Sequence, residues 1–172
     1  MRILALLCTL ATFAVTASVA GAVEPNTGTL SVERGKGVVT VELRGSLLGR
    51  LAAGSLKVTD HTPTDRYVAM VAGRRITQER VGPKTVLYRG VGLRFRMLGG
   101  GFRVVARGSG ISLSAVGRGA VTLDAEPRYA GDDAGVYSLD GVDCSLEPES
   151  CTPLPAVAER FVLEPTEERP QP

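Results

Sequence analysis

The sequence predicts an all-β protein that folds as a single antiparallel β-sandwich domain. Three observations lead to this prediction: apolar and polar residues alternate with a period of two, helical periodicity is hard to find, and glycines bound the alternating runs. Short strands at this spacing are typical of sandwiches and barrels. A distorted β-barrel is therefore the alternative architecture.

The N-terminal segment has the features of a secretory signal peptide. Met1-Arg2 is a short positive region, residues 3–19 form an apolar run, and Ala20-Gly21-Ala22 fits the small-x-small cleavage rule. No basic stop-transfer cluster follows the run. We therefore predict a signal peptide over residues 1–22, a secreted or otherwise extracytoplasmic mature protein, and no membrane span after cleavage.

The mature chain has the length of one domain. We expect a single β domain over residues 23–163 and a disordered tail over residues 164–172, which is poor in apolar side chains. The overall balance of 20 basic and 18 acidic side chains is too even to indicate a nucleic-acid-binding protein.

Six runs alternate clearly, and their apolar members are the predicted core. Successive side chains of a strand point to opposite faces, so alternation indicates a half-buried strand. Four weaker strand candidates are residues 67–71, 85–88, 136–139 and 160–163. The apolar positions of the clear runs are Leu30, Val32, Val39, Val41, Leu43, Leu56, Val58, Leu93, Phe95, Met97, Ile111, Leu113, Ala115, Val121 and Leu123.

A β-hairpin is predicted around Gly99-Gly100, because a two-residue turn keeps the apolar residues of both flanking runs on one face. Both glycines are expected to have positive φ. The predicted register pairs Met97 with Phe102, and it places Arg96 opposite Arg103 on the outer face. The arginines that extend this pair into a candidate ligand-binding patch are Arg94, Arg107, Arg74 and Arg75.

A weak internal repeat relates Leu43–Asp60 to Ala106–Asp124. Both segments contain Arg-Gly-Ser, apolar alternation, a glycine-containing turn and a strand that ends at Asp. A duplication would give two related β-units packed as one body. Chance similarity between strands rich in Gly, Ser and Val is the alternative.

Charge is divided along the chain. Residues 23–123 contain 16 basic and 6 acidic side chains, and residues 124–172 contain 3 basic and 12 acidic ones. Most of the basic residues are arginines, which suit planar, bidentate contacts with carboxylate or phosphate groups. Three interpretations are open: the acidic segment packs over the basic body and neutralises it, it leaves a face that binds a polyanion, or the charges are simply solvated.

The acidic loop over residues 130–149 holds two further candidate features. Cys144 and Cys151 are the cysteines of the mature chain, and an even pair in an exported protein predicts a disulfide. Four carboxylates are of the type that a weak Ca²⁺ site uses, although Gly-Asp-Asp and Leu-Asp-Gly are also ordinary turn sequences. These carboxylates are Asp132, Asp133, Asp140 and Asp143.

Residues for catalysis are sparse, so no catalytic residue is assigned. His61 is the single histidine, it lies in a predicted turn, and no GxSxG sequence accompanies it. A pair of carboxylates is the one remaining route to hydrolysis.

Several segments resemble small secreted all-β proteins of high-GC bacteria. They are residues 28–33 (GTLSVE), 103–108 (RVVARG) and 137–141 (YSLDG), followed by the cysteine pair. The resemblance covers most of the mature chain and implies an extracytoplasmic all-β protein, but it transfers no functional residue.

These observations favour an exported, non-catalytic binding or structural module of the cell envelope. Its expected partner is an anionic cell-wall polymer or an envelope protein. Nucleic acid is disfavoured, because the chain is exported and has few aromatic residues for stacking on bases. Two alternatives stay open: a carboxylate-based hydrolase that acts on cell-wall glycan, and a module whose edge strands pair with a partner protein.

Overall fold

The computed structural model describes residues 27–62, 69–126 and 132–165, and they form one antiparallel β-sheet. The sheet order is β2-β3-β1-β4-β5, and β6 pairs with β3 outside that path. This confirms the predicted all-β class, and the sheet is not closed into a barrel. The strands are β1 (Thr29–Asp60), β2 (Met70–Gly82), β3 (Thr85–Ala125), β4 (Val136–Ser138), β5 (Thr152–Pro153) and β6 (Glu159–Leu163).

Two of the predictions lie wholly or mostly outside the described residues. They are the signal peptide over residues 1–22 and the tail, of which only residues 164 and 165 are described. No helix in the described part of the chain has both the length and the apolar character needed to cross a membrane.

The two longest strands form a ribbon that coils back on itself. β1 has 32 residues and β3 has 41, several times the usual length of a strand. β3 lies on both sides of β1: Val41 is opposite Val104 on one side and opposite Val121 on the other. Residues of β3 that are 17 positions apart therefore lie in the same part of the sheet, with one segment of β1 between them.

Bends divide the coiled ribbon into two layers that face each other across one core, which agrees with the predicted sandwich. Met70–Ala72 of β2 pairs with the first layer, and Thr77–Arg80 pairs with the second. The first layer contains residues 29–36, 46–51, 93–98 and 109–116, and it is extended by β4 and β5. The second layer contains residues 37–44, 53–60, 85–91, 101–108 and 118–125, and it is extended by β6.

The core is the one that the alternation predicts. Every apolar position of the six clear runs is buried, and together they form a single cluster with further residues such as Leu47, Leu51 and Leu163. Three of the four weaker candidates coincide with β3, β4 and β6. The fourth, residues 67–71, lies partly outside the described residues, and β2 begins at Met70.

Glycine pairs allow both strands of the ribbon to bend together. Gly54 and Gly108 lie opposite each other with φ of 142° and 143°. A Cβ on Gly108 would lie 2.1 Å from the carbonyl oxygen of Ala53, and a Cβ on Gly54 would lie 2.1 Å from that of Arg107. Because backbone atoms cannot move aside as a flexible side chain can, only glycine fits this corner.

The internal repeat corresponds to these corners. Gly45 and Gly108 follow an arginine in Arg-Gly-Ser, and Gly54 and Gly117 come nine residues after them. Gly45 pairs with Gly117 and Gly54 pairs with Gly108, so the first corner of each copy meets the second corner of the other. The two related segments are thus the two strands of one antiparallel ladder.

The predicted hairpin at Gly99-Gly100 is wrong. Both glycines have the predicted positive φ, 71° each, but β3 continues through them from the first layer into the second. Met97 pairs with Leu47 and Phe102 pairs with Leu43, so the flanking runs pair with β1 and not with each other. Alternation determines which side chains of each run face the core. A strand that continues through a corner and pairs with β1 keeps the same side chains inward as a hairpin would.

The acidic C-terminal segment lies along the edges of both layers. β4 and β5 extend the first layer beside residues 31–33, and β6 extends the second beside residues 119–123. The predicted disulfide between Cys144 and Cys151 is present, with an S–S distance of 2.07 Å. The buried Cys144 donates its backbone N–H to Oγ of Ser31 at 3.0 Å, which fastens the disulfide loop to β1.

Candidate functional site

An open cleft of about 630 Å³ follows one row of corners where the two layers meet. Corner segments of β1, β2 and β3 form its walls. Gly73, Gly92 and Gly110 contribute no side chain, and a Cβ on Gly92 would have nothing within 4 Å. The buried side chains of Leu51 and Leu93 form its apolar floor. The bends that fold the ribbon therefore also create the space.

Four arginines line this cleft, together with a single acidic residue, Glu33. Arg50 and Arg94 are directly opposite each other on neighbouring strands, so their side chains leave the same face of the first layer. Arg34 and Arg74 lie at the bends beside them. Like charges that are directly opposed destabilise a sheet, and a low-dielectric cleft lined by one sign of charge concentrates counter-ions.

Glu33 neutralises part of this charge. Its carboxylate Oε1 accepts a hydrogen bond from Nη2 of Arg50 at 3.1 Å, and the two side chains are 13% and 65% exposed, respectively. Arg34 lies next to Glu33 in a bulge of β1 and has φ of 56°. Its backbone N–H donates to Oγ of Ser112 at 3.4 Å, which holds the bulge against β3.

Two further depressions adjoin the cleft. One, of about 590 Å³, shares Glu33, Arg50 and Arg94 with it and extends to Asp143 of the acidic loop. The other, of about 500 Å³, shares Arg94 and adds Arg96. We call the cleft and these two depressions together the basic groove. The three depressions share Arg94, and none of them is an enclosed pocket.

The structure separates the six arginines of the predicted ligand-binding patch. Arg74 lines the cleft, and Arg75 is exposed at a bend of β2, with φ of 50°. Arg94 is central to the basic groove, and Arg96 lies beside it on the same face. Arg103 is on the outer face of the second layer, opposite Glu42 and Thr59. Arg107 is also in the second layer, in a depression of about 340 Å³ that Asp124 and Glu126 share. The predicted opposition of Arg96 and Arg103 is wrong, because the hairpin that it required does not form.

Sequence reasoning missed Arg34 and Arg50. Arg50 lies in residues 46–53, where glycines and paired leucines obscure the alternation, and Arg34 lies in the bulge. The available signal was the position of each arginine beside a glycine, at Arg34-Gly35 and Gly49-Arg50. Gly35 ends the bulge, whereas Gly49 lies within the first layer opposite Phe95 and Leu113, so the glycines alone did not locate the cleft.

The acidic loop is organised by turns. Oγ of Ser138 donates a hydrogen bond to Oδ1 of Asp140, which, with the backbone N–H of Val142, lowers the pKa of that carboxyl. Hydrogen bonds from Oγ and from the backbone N–H of Ser145 lower the pKa of Asp143 in the same way. These contacts are ordinary Asx-turn chemistry.

The structure describes the side chains of three of the four predicted Ca²⁺ ligands. Among the described residues, no three His, Cys, Asp or Glu side chains gather closely enough to hold a metal ion. Asp133 is exposed, and the side chain of Asp132 lies outside the described part of the structure. The Ca²⁺ site stays a prediction.

Two carboxylates, Glu33 and Asp143, line one depression of the basic groove. A general acid must hold its proton near neutral pH. Asp143 does not meet this requirement because its pKa is lowered, and Glu33 is the ion-pair partner of Arg50. His61 is exposed elsewhere, with its backbone N–H donating to the carbonyl oxygen of Gly101.

A comparison with protein-family models, curated proteins and solved structures finds no match for this chain. The geometry of the basic groove is therefore the basis for interpreting function. That geometry is a set of arginines around an open cleft with an apolar floor, in a two-layered β-fold.

Proposed function

We propose that the protein is an exported, non-catalytic binding module of the cell envelope that holds an anionic polymer in the basic groove. One observation carries the proposal: the fold places Arg50 directly opposite Arg94, with Arg34 and Arg74 beside them, around an open cleft. This arrangement is unfavourable for the free protein, and a bound anion offsets the repulsion. Guanidinium groups provide paired donors for phosphate or carboxylate.

The shape of the groove favours a polymer over a small molecule. Sites for small ligands are usually enclosed and bury most of the ligand surface. The basic groove instead runs through three adjoining depressions, with Arg94 common to all of them. An extended chain with repeated negative charges matches this form. The Cys144–Cys151 disulfide supports an extracytoplasmic location, where disulfides persist.

The two alternative functions have less support. A carboxylate-based hydrolase needs a protonated acid beside a second carboxylate. The lowered pKa of Asp143 does not suit it to be that acid, and Glu33 is paired with Arg50. β2 is an edge strand of the sheet, but its structure disfavours pairing with a strand of a partner protein. Its register shifts between Arg74 and Thr77, Arg75 has φ of 50°, and bulges and charges of this kind blunt an edge.

Binding of the mature protein to purified cell wall and to polyphosphate, across a salt series, tests the proposal. The informative variant is Arg74→Glu/Arg94→Glu, which leaves the Arg50–Glu33 pair in place. We expect at least about a tenfold loss of affinity, since hydrogen bonds to charged groups contribute about 1.5–3 kcal/mol each. Binding should also weaken as salt rises.

The matched control is Arg103→Glu/Arg107→Glu, which makes the same charge change on the outer face of the second layer. Its affinity should stay within about threefold of the wild-type value, because long-range charge effects are largely screened at moderate salt. Equal losses in both variants would show that net charge alone governs binding. No binding by the wild type at low salt would contradict the proposal.

A further inference from the structure

The outer face of the first layer carries large apolar side chains in addition to its arginines. Leu48, Met70, Leu98 and Val116 all lie on this face and are between 40% and 65% exposed. Single exposed apolar residues are normal on a protein surface. Several on one face, bordered by charge, indicate an interaction site.

The strand register makes these four side chains neighbours. Ser46 is directly opposite both Leu98 and Val116, and Leu48 is two positions further along the same strand. Leu48 is opposite Arg96, and Arg96 is opposite Met70. Directly opposed side chains lie about 5 Å apart and diagonal ones about 7–8 Å apart. The four residues therefore form one patch, which we call the apolar patch.

Arginines border the apolar patch and enter it. Arg96 lies between Leu48 and Met70, and Arg50 and Arg94 form the next row of the same face. The outer face of the second layer differs, because its central strands carry polar side chains such as Thr40, Glu42 and Arg103. Its large exposed apolar side chains include Val91, next to β2, and Val162, on β6, and the central strands of the layer separate these two.

We infer that the outer face of the first layer docks on an anionic lipid surface. The apolar patch enters the headgroup region, and Arg94 and Arg96 contact lipid phosphates. An anionic lipid surface binds proteins that expose apolar side chains beside basic ones, because burial of apolar area and attraction to the lipid charge act together. A sheet face suits a planar partner. This inference goes beyond the polymer site and requires residues that the polymer site does not.

A tryptophan reporter tests the docking directly. The chain contains no tryptophan, so Leu98→Trp introduces a single fluorophore into the apolar patch. Vesicles of phosphatidylglycerol should shift its emission to shorter wavelength, and vesicles of phosphatidylcholine should not. Val162→Trp is the matched control, an exposed apolar position on the outer face of the other layer, and its emission should stay unchanged.

Co-sedimentation with the same vesicles separates docking from simple charge attraction. We expect Leu98→Ser/Val116→Ser to lower partitioning onto phosphatidylglycerol vesicles at least about tenfold, while binding to soluble polyphosphate is retained, because neither residue lines the basic groove. Polyphosphate binding without vesicle binding would overturn the docking and keep the proposed function. Vesicle binding that the two serine substitutions leave unchanged would also overturn it. Absence of any vesicle signal, as expected if the face binds an acidic protein, would do the same.

Discussion

Two arginines at equivalent outward positions on the two layers have opposite surroundings. Arg94 is directly opposite Arg50, whereas Arg103 is directly opposite Glu42. Directly opposed charges change sheet stability by about 0.2–1 kcal/mol. The same substitution should therefore have effects of opposite sign at the two positions.

We predict that Arg94→Glu raises the free energy of unfolding by about 0.5 kcal/mol, because it replaces repulsion from Arg50 with attraction. Arg103→Glu should lower it by a similar amount, because it places a second carboxylate opposite Glu42. Urea unfolding at low salt measures both, and the difference should shrink as salt rises. Two changes of the same sign would show that Arg50 does not repel Arg94. A gain in stability at Arg94 combined with lost polymer binding is typical of a functional position.

At the scale of the element, the corners decide whether the ribbon can coil. Gly108 has φ of 143° and approaches the carbonyl oxygen of Ala53 across the ladder, so any side chain there meets backbone. Gly82, at the end of β2, is the contrasting position, since a Cβ there would lie 3.5 Å or more from its neighbours. Both are glycines in strands of the same sheet, which makes them a matched pair.

We predict that Gly108→Ala lowers the free energy of unfolding by about 3 kcal/mol or more, through strain at positive φ and overpacking against backbone. Gly82→Ala should change it by less than about 1 kcal/mol. Chemical denaturation of the two variants measures the difference. A Gly108→Ala protein as stable as the wild type would mean that the corner is not closed as described.

At the scale of the whole molecule, coiling gives the protein two outer faces of different chemistry. The first layer presents the basic groove and the apolar patch, and the second presents a polar face in which Arg103 is balanced by Glu42. The acidic segment lies along the edges of both layers, and its Asp143 reaches one end of the basic groove. Charge that is nearly balanced over the whole chain is therefore unevenly distributed in space.

The sequence predicted which residues are buried but not how the strands are connected. The period-two pattern identified the core positions from Leu30 to Leu123, because the alternation of side chains is a local property of strands. The path at Gly99-Gly100 depends on a partner, β1, that lies more than 40 residues away in the chain. In the sequence, a glycine is equally compatible with a hairpin turn and with a bend inside a continuous strand. The continuity of β1 and β3 could therefore not be predicted.

The same reasoning explains what was missed at the site. Arg94 and Arg96 were found because they alternate with core residues in a clear run. Arg34 lies in the bulge of β1 and Arg50 follows Gly49, and only the coiled topology brings them to Arg94. The sequence therefore identified three of the five arginines of the groove, Arg74, Arg94 and Arg96, and long-range pairing determined the other two.

Chemical-shift mapping on isotope-labelled protein would show whether the basic groove is an anion-binding site. Polyphosphate would be added at low salt while backbone amide resonances are followed. We expect the largest shifts at residues 33–34, 50–52, 72–74, 92–94 and around 110–112, along the cleft. Shifts concentrated instead at residues 40–42 and 103–107 of the second layer, or spread evenly over the protein, would contradict this expectation.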